Sequence, residues 1–257
     1  MQKELGYREV AARLTAAIDR GDYPPGVALP TQDELAEQYA LNINTIRKAV
    51  ALLHAQGLVT PTSGRGTIVR DRQRVRLPLP RYSSENQRGP WESACAQHGL
   101  EESYTEVTDV RVDVANPIVA HALGISARDS AVVVRYNRMH AVHPNASEVS
   151  TDQVYQLQET YLALPVVQDT ELAIQTSPIR GGIYAGLRRI GHVPTRALEV
   201  VTSRMPTMAE ADVLALGLGS PVMDIRRTTW DQDDLAVVHT HLVVSADHVS
   251  LVYPQVL

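Results

Sequence analysis

Residues 29–69 read LPTQDELAEQYALNINTIRKAVALLHAQGLVTPTSGRGTIV, and the order of signals in that stretch decides the fold of the first part of the chain. Thr31 followed three residues later by Glu34 is the capping-box pattern, in which a hydroxyl and a carboxylate satisfy the free N–H groups where a helix begins. A helix therefore starts at Gln32, with Leu35, Ala36 and Tyr39 at spacings of three and four on one apolar face. A short turn at Ala40 and Leu41 leads to a second helix, which Asn42 can cap and which turns Ile46, Val50 and Leu53 inward. Gly57 ends this helix, because glycine takes up the left-handed conformation of a C-terminal cap without strain. Residues 58–60 and 67–69 then flank Pro61-Thr62-Ser63-Gly64-Arg65-Gly66, a hairpin with a glycine-rich, basic tip.

The polar side of the second helix carries the chemistry. Its first turn offers Asn42, Asn44, Thr45 and Arg47, which are short amides, a hydroxyl and a guanidinium at a helix end able to enter a major groove. Thr31 and Gln32 open the preceding helix. At the hairpin tip the glycines let the backbone approach a phosphate while Arg65 reaches out, so Arg65 and Gly66 complete the candidate DNA contacts. A small helical bundle with a polar face would also show capped amphipathic helices. The ordered series of helix, turn, helix and basic wing is far more specific, and it predicts a winged helix-turn-helix.

The same residues carry a resemblance. Leu29-Pro30-Thr31, Glu34-Leu35-Ala36, Thr45-Ile46-Arg47-Lys48-Ala49, Gly57-Leu58-Val59 and Gly64-Arg65-Gly66-Thr67 are similar to the winged helix of GntR-type bacterial repressors. Asp33 and Ile43 depart from it, standing where many members of that family carry arginines that touch DNA. The resemblance therefore does not extend to those two contacts, and it implies an operator that differs from the usual one.

Composition sets the outer bounds. A chain of 257 residues is long enough for two domains, each with its own core. No apolar run approaches the roughly 20 residues needed to span a bilayer, and no apolar segment follows the first four residues, so neither a membrane span nor a secretory signal is expected. Cys95 is the single cysteine, which excludes an intrachain disulfide and suits a reducing cytoplasm. The net charge of −5 argues against a nucleic-acid binder until the chain is split. Through Arg76 eleven basic side chains stand against eight acidic ones, so the first part carries +3 and the remainder −8. The basic part is where phosphates would sit.

Taken in order, residues 7–20 form a first helix with Val10, Leu14 and Ile18 as its apolar strip. After the wing, residues 71–80 are charged and then proline-rich and read as a linker that cannot be helical near its prolines, and residues 81–90 lack periodicity and read as a loop or a mobile segment. The expected division is a DNA-binding domain over 1–76, a linker over 77–90 and a second domain over 91–257. In the second domain, helices are expected at 91–98, 117–124, 183–190 and 208–217, the last opened by a Thr207–Glu210 capping box. Strands are expected at 101–114, 131–142, 148–155, 195–205, 222–230, 235–244 and 249–253, while 156–176 carries no clear period. Residues 116–125 with 132–138 resemble residues 207–218 with 222–227: each is a capped helix, a turn and an arginine-bearing strand. Such a duplication implies a pseudo-symmetric sheet with a pocket between its halves. The fold class is α+β.

Gly181-Gly182-Ile183-Tyr184, Arg204-Met205-Pro206-Thr207, Leu216-Gly217 and Arg226-Arg227-Thr228 resemble the UTRA domain of the HutC branch of GntR regulators, a domain with the chorismate-lyase fold and a mainly antiparallel sheet. The resemblance covers nearly all of the chain from about residue 81. It implies a homodimer on a palindromic double-stranded DNA operator, with a small-molecule effector that changes the spacing of the DNA-binding heads. It implies further that an arginine on the strand matching Arg135 to Arg138 holds an anionic group. Arg135 and Arg138 lie an odd number apart, so only one can line the pocket of an unbulged strand. Acidic residues that hold hydroxyls or amides in that family would correspond to Ser150 and Val238, which argues against phosphorylated amino sugars. Tyr184, near a helix start behind two glycines, and His239 and His241, which share a strand face, complete the candidate effector contacts. The two histidines lack a third and fourth ligand, so no metal is expected, and no cofactor motif occurs. An enzyme of the same fold, or a DNA-binding dimer that senses nothing, are the competing readings. No nucleophile–base spacing, G-x-S-x-G or H-E-x-x-H supports the first.

Overall fold

The computed structural model describes residues 5–70, 75–78, 90–100, 103–127, 130–142, 152–217 and 219–253. Its contacts divide the chain into two compact units, Met1–Gln73 with Leu216–Ser220, and Arg74–Ala215 with Pro221–Leu257.

In the first unit, α1 (Tyr7–Arg20) buries Val10, Ala11, Leu14 and Ala17 and stops at Gly21, whose φ of +84° is the left-handed cap that glycine tolerates. α2 (Gln32–Tyr39) begins with the expected capping box: the Glu34 N–H donates to Thr31 Oγ1 at 3.2 Å, and the Thr31 N–H donates to Glu34 Oε2 at 2.7 Å. α3 (Ile43–Ala55) begins at Asn42, whose Oδ1 accepts the Thr45 N–H at 2.9 Å, and Gly57 follows its end with φ +66°. Val10, Leu14, Leu35, Ile46, Leu53 and Val59 have no exposed surface and form the core. Each such aliphatic side chain contributes roughly 1.5–3 kcal/mol by leaving water. β1 (Val59–Thr62) and β2 (Gly66–Val69) pair antiparallel, with Thr62 opposite Gly66, and Ala28 bridges to Ile68 on the other edge.

The second unit opens with β3 (Val75–Pro78), a strand where the sequence reads a linker. Val75 and Leu77 are buried, and β3 pairs in parallel with the last strand, β10, Val75 opposite Val249. There follow α4 (Pro90–Gln97), β4 (Ser103–Val114), α5 (Pro117–Leu123), β5 (Ala131–Val142) and β6 (Asp152–Ala163). The short helices α6 (Leu164–Val167) and α7 (Glu171–Ile174) and the longer α8 (Gly182–Arg189) lead to β7 (Arg196–Arg204). α9 (Met208–Val213), β8 (Val222–Trp230), β9 (Ala236–Ser245) and β10 (Val249–Val252) complete the chain. Thr207 and Glu210 form the second capping box, although α9 ends at Val213, with Leu214 as its C-cap, rather than at Gly217.

Six strands form one antiparallel sheet in the order β4-β5-β6-β9-β8-β7. The order is palindromic in topology: β4, α5, β5, β6 and β7, α9, β8, β9 are two strand–helix–strand–strand halves that meet at the β6–β9 seam. α5 lies on one face, burying Val119, Ala120 and Leu123 with Val132 and Val134. Leu172, Ile179, Tyr184 and Leu187 cover part of the other face together with Val133 and Leu162. β6 runs on to Ala163, through residues that show no clear period in the sequence, because Gln156, Gln158 and Thr160 alternate with Leu157, Glu159 and Tyr161. Polar side chains on both faces erase the period-two signal.

Candidate functional site

The head presents its polar groups from three places. Asn42 Oδ1 accepts both the N–H and the hydroxyl of Thr45, at 2.9 and 3.1 Å, so these two side chains are committed to the start of α3. Thr31 is likewise held by Glu34, with Gln32 partly buried beside it. Asn44 and Arg47 remain on the exposed side, linked by an Arg47 Nη1–Asn44 Oδ1 bond of 3.3 Å, one turn apart. Arg65 and Gly66 sit exposed at the hairpin tip, where Gly64 and Gly66 have φ of +73° and +82°. Only glycine adopts such values without strain. A helix end with an exposed guanidinium and a basic wing can contact base edges and phosphates together.

In the second unit, a cavity of about 120 Å³ lies against one face of the sheet. Its floor is Thr105 and Val107 of β4, Arg135, Asn137 and Met139 of β5, Gln156 and Gln158 of β6, and Val238, Thr240 and Leu242 of β9. Both strands of the seam contribute, while β7 and β8 do not, so the cavity lies over the first half and the seam rather than between the halves. Trp91 and Glu92 of α4 and the Pro178–Tyr184 segment close over it. The Trp91 indole N–H is anchored on the His140 carbonyl at 2.8 Å, and the Thr105 hydroxyl donates to Glu92 at 2.6 Å.

Arg135 is 1% exposed. Its Nη1 donates to the carbonyls of Leu172 and Gln175 at 3.1 and 2.8 Å, and its Nη2 to that of Ser177 at 3.1 Å, while Nε has no hydrogen-bond partner. Burial pushes its pKa down, with the charge of Glu171 opposing. Asn137 Oδ1 is buried without a partner as well. Gln158 Nε2 donates to Thr160 Oγ1 at 2.8 Å. Tyr184 is buried at the cavity wall, its hydroxyl against Thr229 Oγ1.

One rung of the sheet runs Val110, Arg135, Thr160, Thr240, Arg227, Glu199 from edge to edge. The seam passes between the two threonines, so Arg135 and Arg227 occupy corresponding places. Arg227, 3% exposed, is paired with Glu199, Nε to Oε2 at 2.6 Å. Arg135 has Val110 where that carboxylate would be.

Three expected effector contacts do not line the cavity. Arg138 is on the opposite face, partly exposed, with Nη1 3.6 Å from Glu106. His239 and His241 also point away, because alternation along β9 gives the cavity to Val238, Thr240 and Leu242. His239 is buried, bonded through Nδ1 to Thr228 Oγ1 at 2.9 Å, and burial followed by the charge of Arg226 pushes its pKa down to about 4. His241 lies 3.7 Å from Glu159 and 3.2 Å from Asp224, and these carboxylates raise its pKa. Ser150 lies outside the described residues. Asn137, Gln156, Gln158 and Glu92 also line the cavity, and of these the sequence marks only the alternating Gln156-x-Gln158-x-Thr160.

Residues 6–69 match the family of bacterial regulatory proteins called gntR, and residues 101–250 match the UTRA domain. The chain belongs to the UTRA-bearing GntR regulators. It is 30% identical over 241 residues to the HTH-type transcriptional regulator SCO4628 of Streptomyces coelicolor, covering 90% of this chain and 85% of that one. It is 24% identical over 250 residues to the HTH-type transcriptional repressor NagR of Bacillus subtilis, covering 96% and 93%. A crystal structure assigned to the GntR family superposes with a TM-score of 0.66 at 23% identity, covering 100% of this chain and 98% of that one, which shows the shared fold. This GntR regulator is thus a DNA-binding transcription factor with a ligand-sensing UTRA domain, and not an enzyme. Among its described residues no helix is long and apolar enough to cross a membrane.

Proposed function

We propose that the regulator is a homodimeric repressor: two heads related by a twofold axis bind a palindromic operator, and a small acid-bearing metabolite in the UTRA cavity changes the DNA affinity. The half-sites then lie on one face of the duplex, spaced by about one helical turn of roughly 34 Å. Thr31, Gln32, Asn42, Asn44, Thr45, Arg47, Arg65 and Gly66 form the DNA-facing surface, with Asn44, Arg47 and Arg65 the exposed side chains that reach DNA. The name of the Bacillus subtilis relative supports the repressing sign.

The observation that carries the effector reading is the unequal treatment of the two arginines on one rung. Arg227 has a carboxylate in contact, whereas the hydrogen bonds of Arg135 go to backbone carbonyls. A buried guanidinium with no carboxylate in contact is costly, the more distant charge of Glu171 offsetting only part of it, and a carboxylate or phosphate ester in the cavity would supply the contact. Asn137, Gln156 and Gln158 would read the neutral part of such a molecule, and the positive end of the α8 dipole, beside Tyr184, favours the same sign of charge. The effector then acts only through its differential affinity for the two states.

The test is binding to the DNA upstream of the protein's own gene at two salt concentrations, with a panel of small carboxylates and phosphate esters. The expected result is a salt-sensitive complex of two protomers per site, released by an acid-bearing compound that also raises the melting temperature. Arg135→Gln should keep operator binding and lose the response to that compound. A compound that acts equally on both proteins would overturn the role of Arg135, and failure to bind DNA would overturn the repressor.

A further inference from the structure

The first turn of α3 holds one side chain whose chemistry the functional reading has not used. Ile43 is the first residue of the helix, and it is 36% exposed. It does not belong to the head core, whose partly buried contributors include the nearby Leu41. A β-branched residue at an exposed helix position gains nothing from propensity. Its neighbours are polar: Asn42 and Thr45 spend their side chains on the cap, and Asn44 and Arg47 are exposed. Ile43 is therefore an apolar group in the turn of a recognition helix that meets base edges.

The major groove offers few apolar features. Guanine, adenine and cytosine present acceptors and donors there, and thymine presents an acceptor together with its C5-methyl group. We infer that Ile43 reads a thymine, packing its branched side chain on the C5-methyl in each operator half-site, next to the base pair that Asn44 and Arg47 contact. This rests on DNA reading by the head, and it adds an apolar contact with the thymine methyl that hydrogen-bonding side chains do not make. At any other base in that place Ile43 would cover polar edge atoms without satisfying them, so the residue selects by rejection as well as by contact.

The experiment separates this inference from the reading beneath it. Operator sequences are first selected from random duplexes with the full-length protein. Each thymine of the selected half-site is then replaced by deoxyuridine, which removes the methyl group and nothing else. One thymine per half-site should be sensitive, with affinity falling about fourfold, the fold-change that corresponds to one buried methyl-sized group. In Ile43→Ala, which is expected to fold because the side chain lies outside the core, the same replacement should have no effect, while the overall salt dependence of binding is retained. A selected half-site without a methyl-sensitive thymine, or a thymine equally sensitive in Ile43→Ala, would overturn the inference and leave the DNA-binding reading standing. Failure to select any sequence would overturn both.

Discussion

Replacing Glu199 by Gln tests the reasoning about the two arginines directly, because it removes from Arg227 the carboxylate that Arg135 lacks. The Arg227 side chain is 3% exposed and that of Glu199 11%, and they are joined through Nε and Oε2 at 2.6 Å. Breaking a buried pair by neutralising one member leaves an uncompensated charge and costs about 3–5 kcal/mol. The sequence provides a selective probe: both tryptophans, Trp91 and Trp230, belong to the second unit, so urea unfolding followed by tryptophan fluorescence reports that unit. With a urea slope of roughly 2 kcal/mol per molar, the midpoint should fall by about 2 M. Replacing both partners, Glu199→Gln with Arg227→Met, removes the charge as well as its partner and should recover most of the loss. A midpoint unchanged in Glu199→Gln, or a double variant no better than the single, would refute the claim that a buried guanidinium on this rung needs an anion. The case for an acid-bearing effector at Arg135 would lose its physical basis with it.

Other outcomes follow from the geometry. Arg47→Ala should weaken operator binding by about 1–3 kcal/mol at fixed salt, and an unchanged affinity would mean that α3 does not dock as described. Arg204 forks onto Glu210 with both oxygens at 2.7 Å, and this holds the Glu210 carboxyl down to about 2, against its ordinary 4.5. A depressed carboxylate pKa gives stability that is complete above about pH 4.5 and is lost as the pH falls toward the folded value. Glu210→Gln should therefore flatten the acid side of the stability profile, and a profile identical to that of the unaltered protein would count against the pair. Burial pushes the Cys95 thiol up to about 12, so it should react with a thiol-specific disulfide reagent only after denaturation. Rapid labelling of the native protein would show that α4 opens.

Local chemistry made much of the head legible. Thr31 with Glu34, Asn42 before α3 and Gly57 after it are signals whose cause lies within four residues, and all three appear in the structure as expected. The same holds for Asn116 before α5 and for the Thr207–Glu210 box. The internal duplication was visible as well, and it emerges as the palindromic strand order. The extent of β6 was hidden because it is polar on both faces, one face flooring a cavity and the other carrying Glu159 and Tyr161. β3 was hidden because its partner, β10, lies some 170 residues away in sequence.

By itself the sequence determined the kinds of element, their order and the parity of side chains along each strand, since these follow from short-range capping, turn chemistry and periodicity. Parity stated that Arg135 and Arg138 face opposite ways and that His239 and His241 face the same way. It could not state which face carries the cavity. Only the tertiary structure decided that, by laying the Pro178–Tyr184 segment over one side of the sheet and α5 over the other. The same assembly set Glu199 beside Arg227 and Val110 beside Arg135, so the electrostatics of the site depend on which distant strands share a rung, and that pairing is fixed by the packing of the whole sheet.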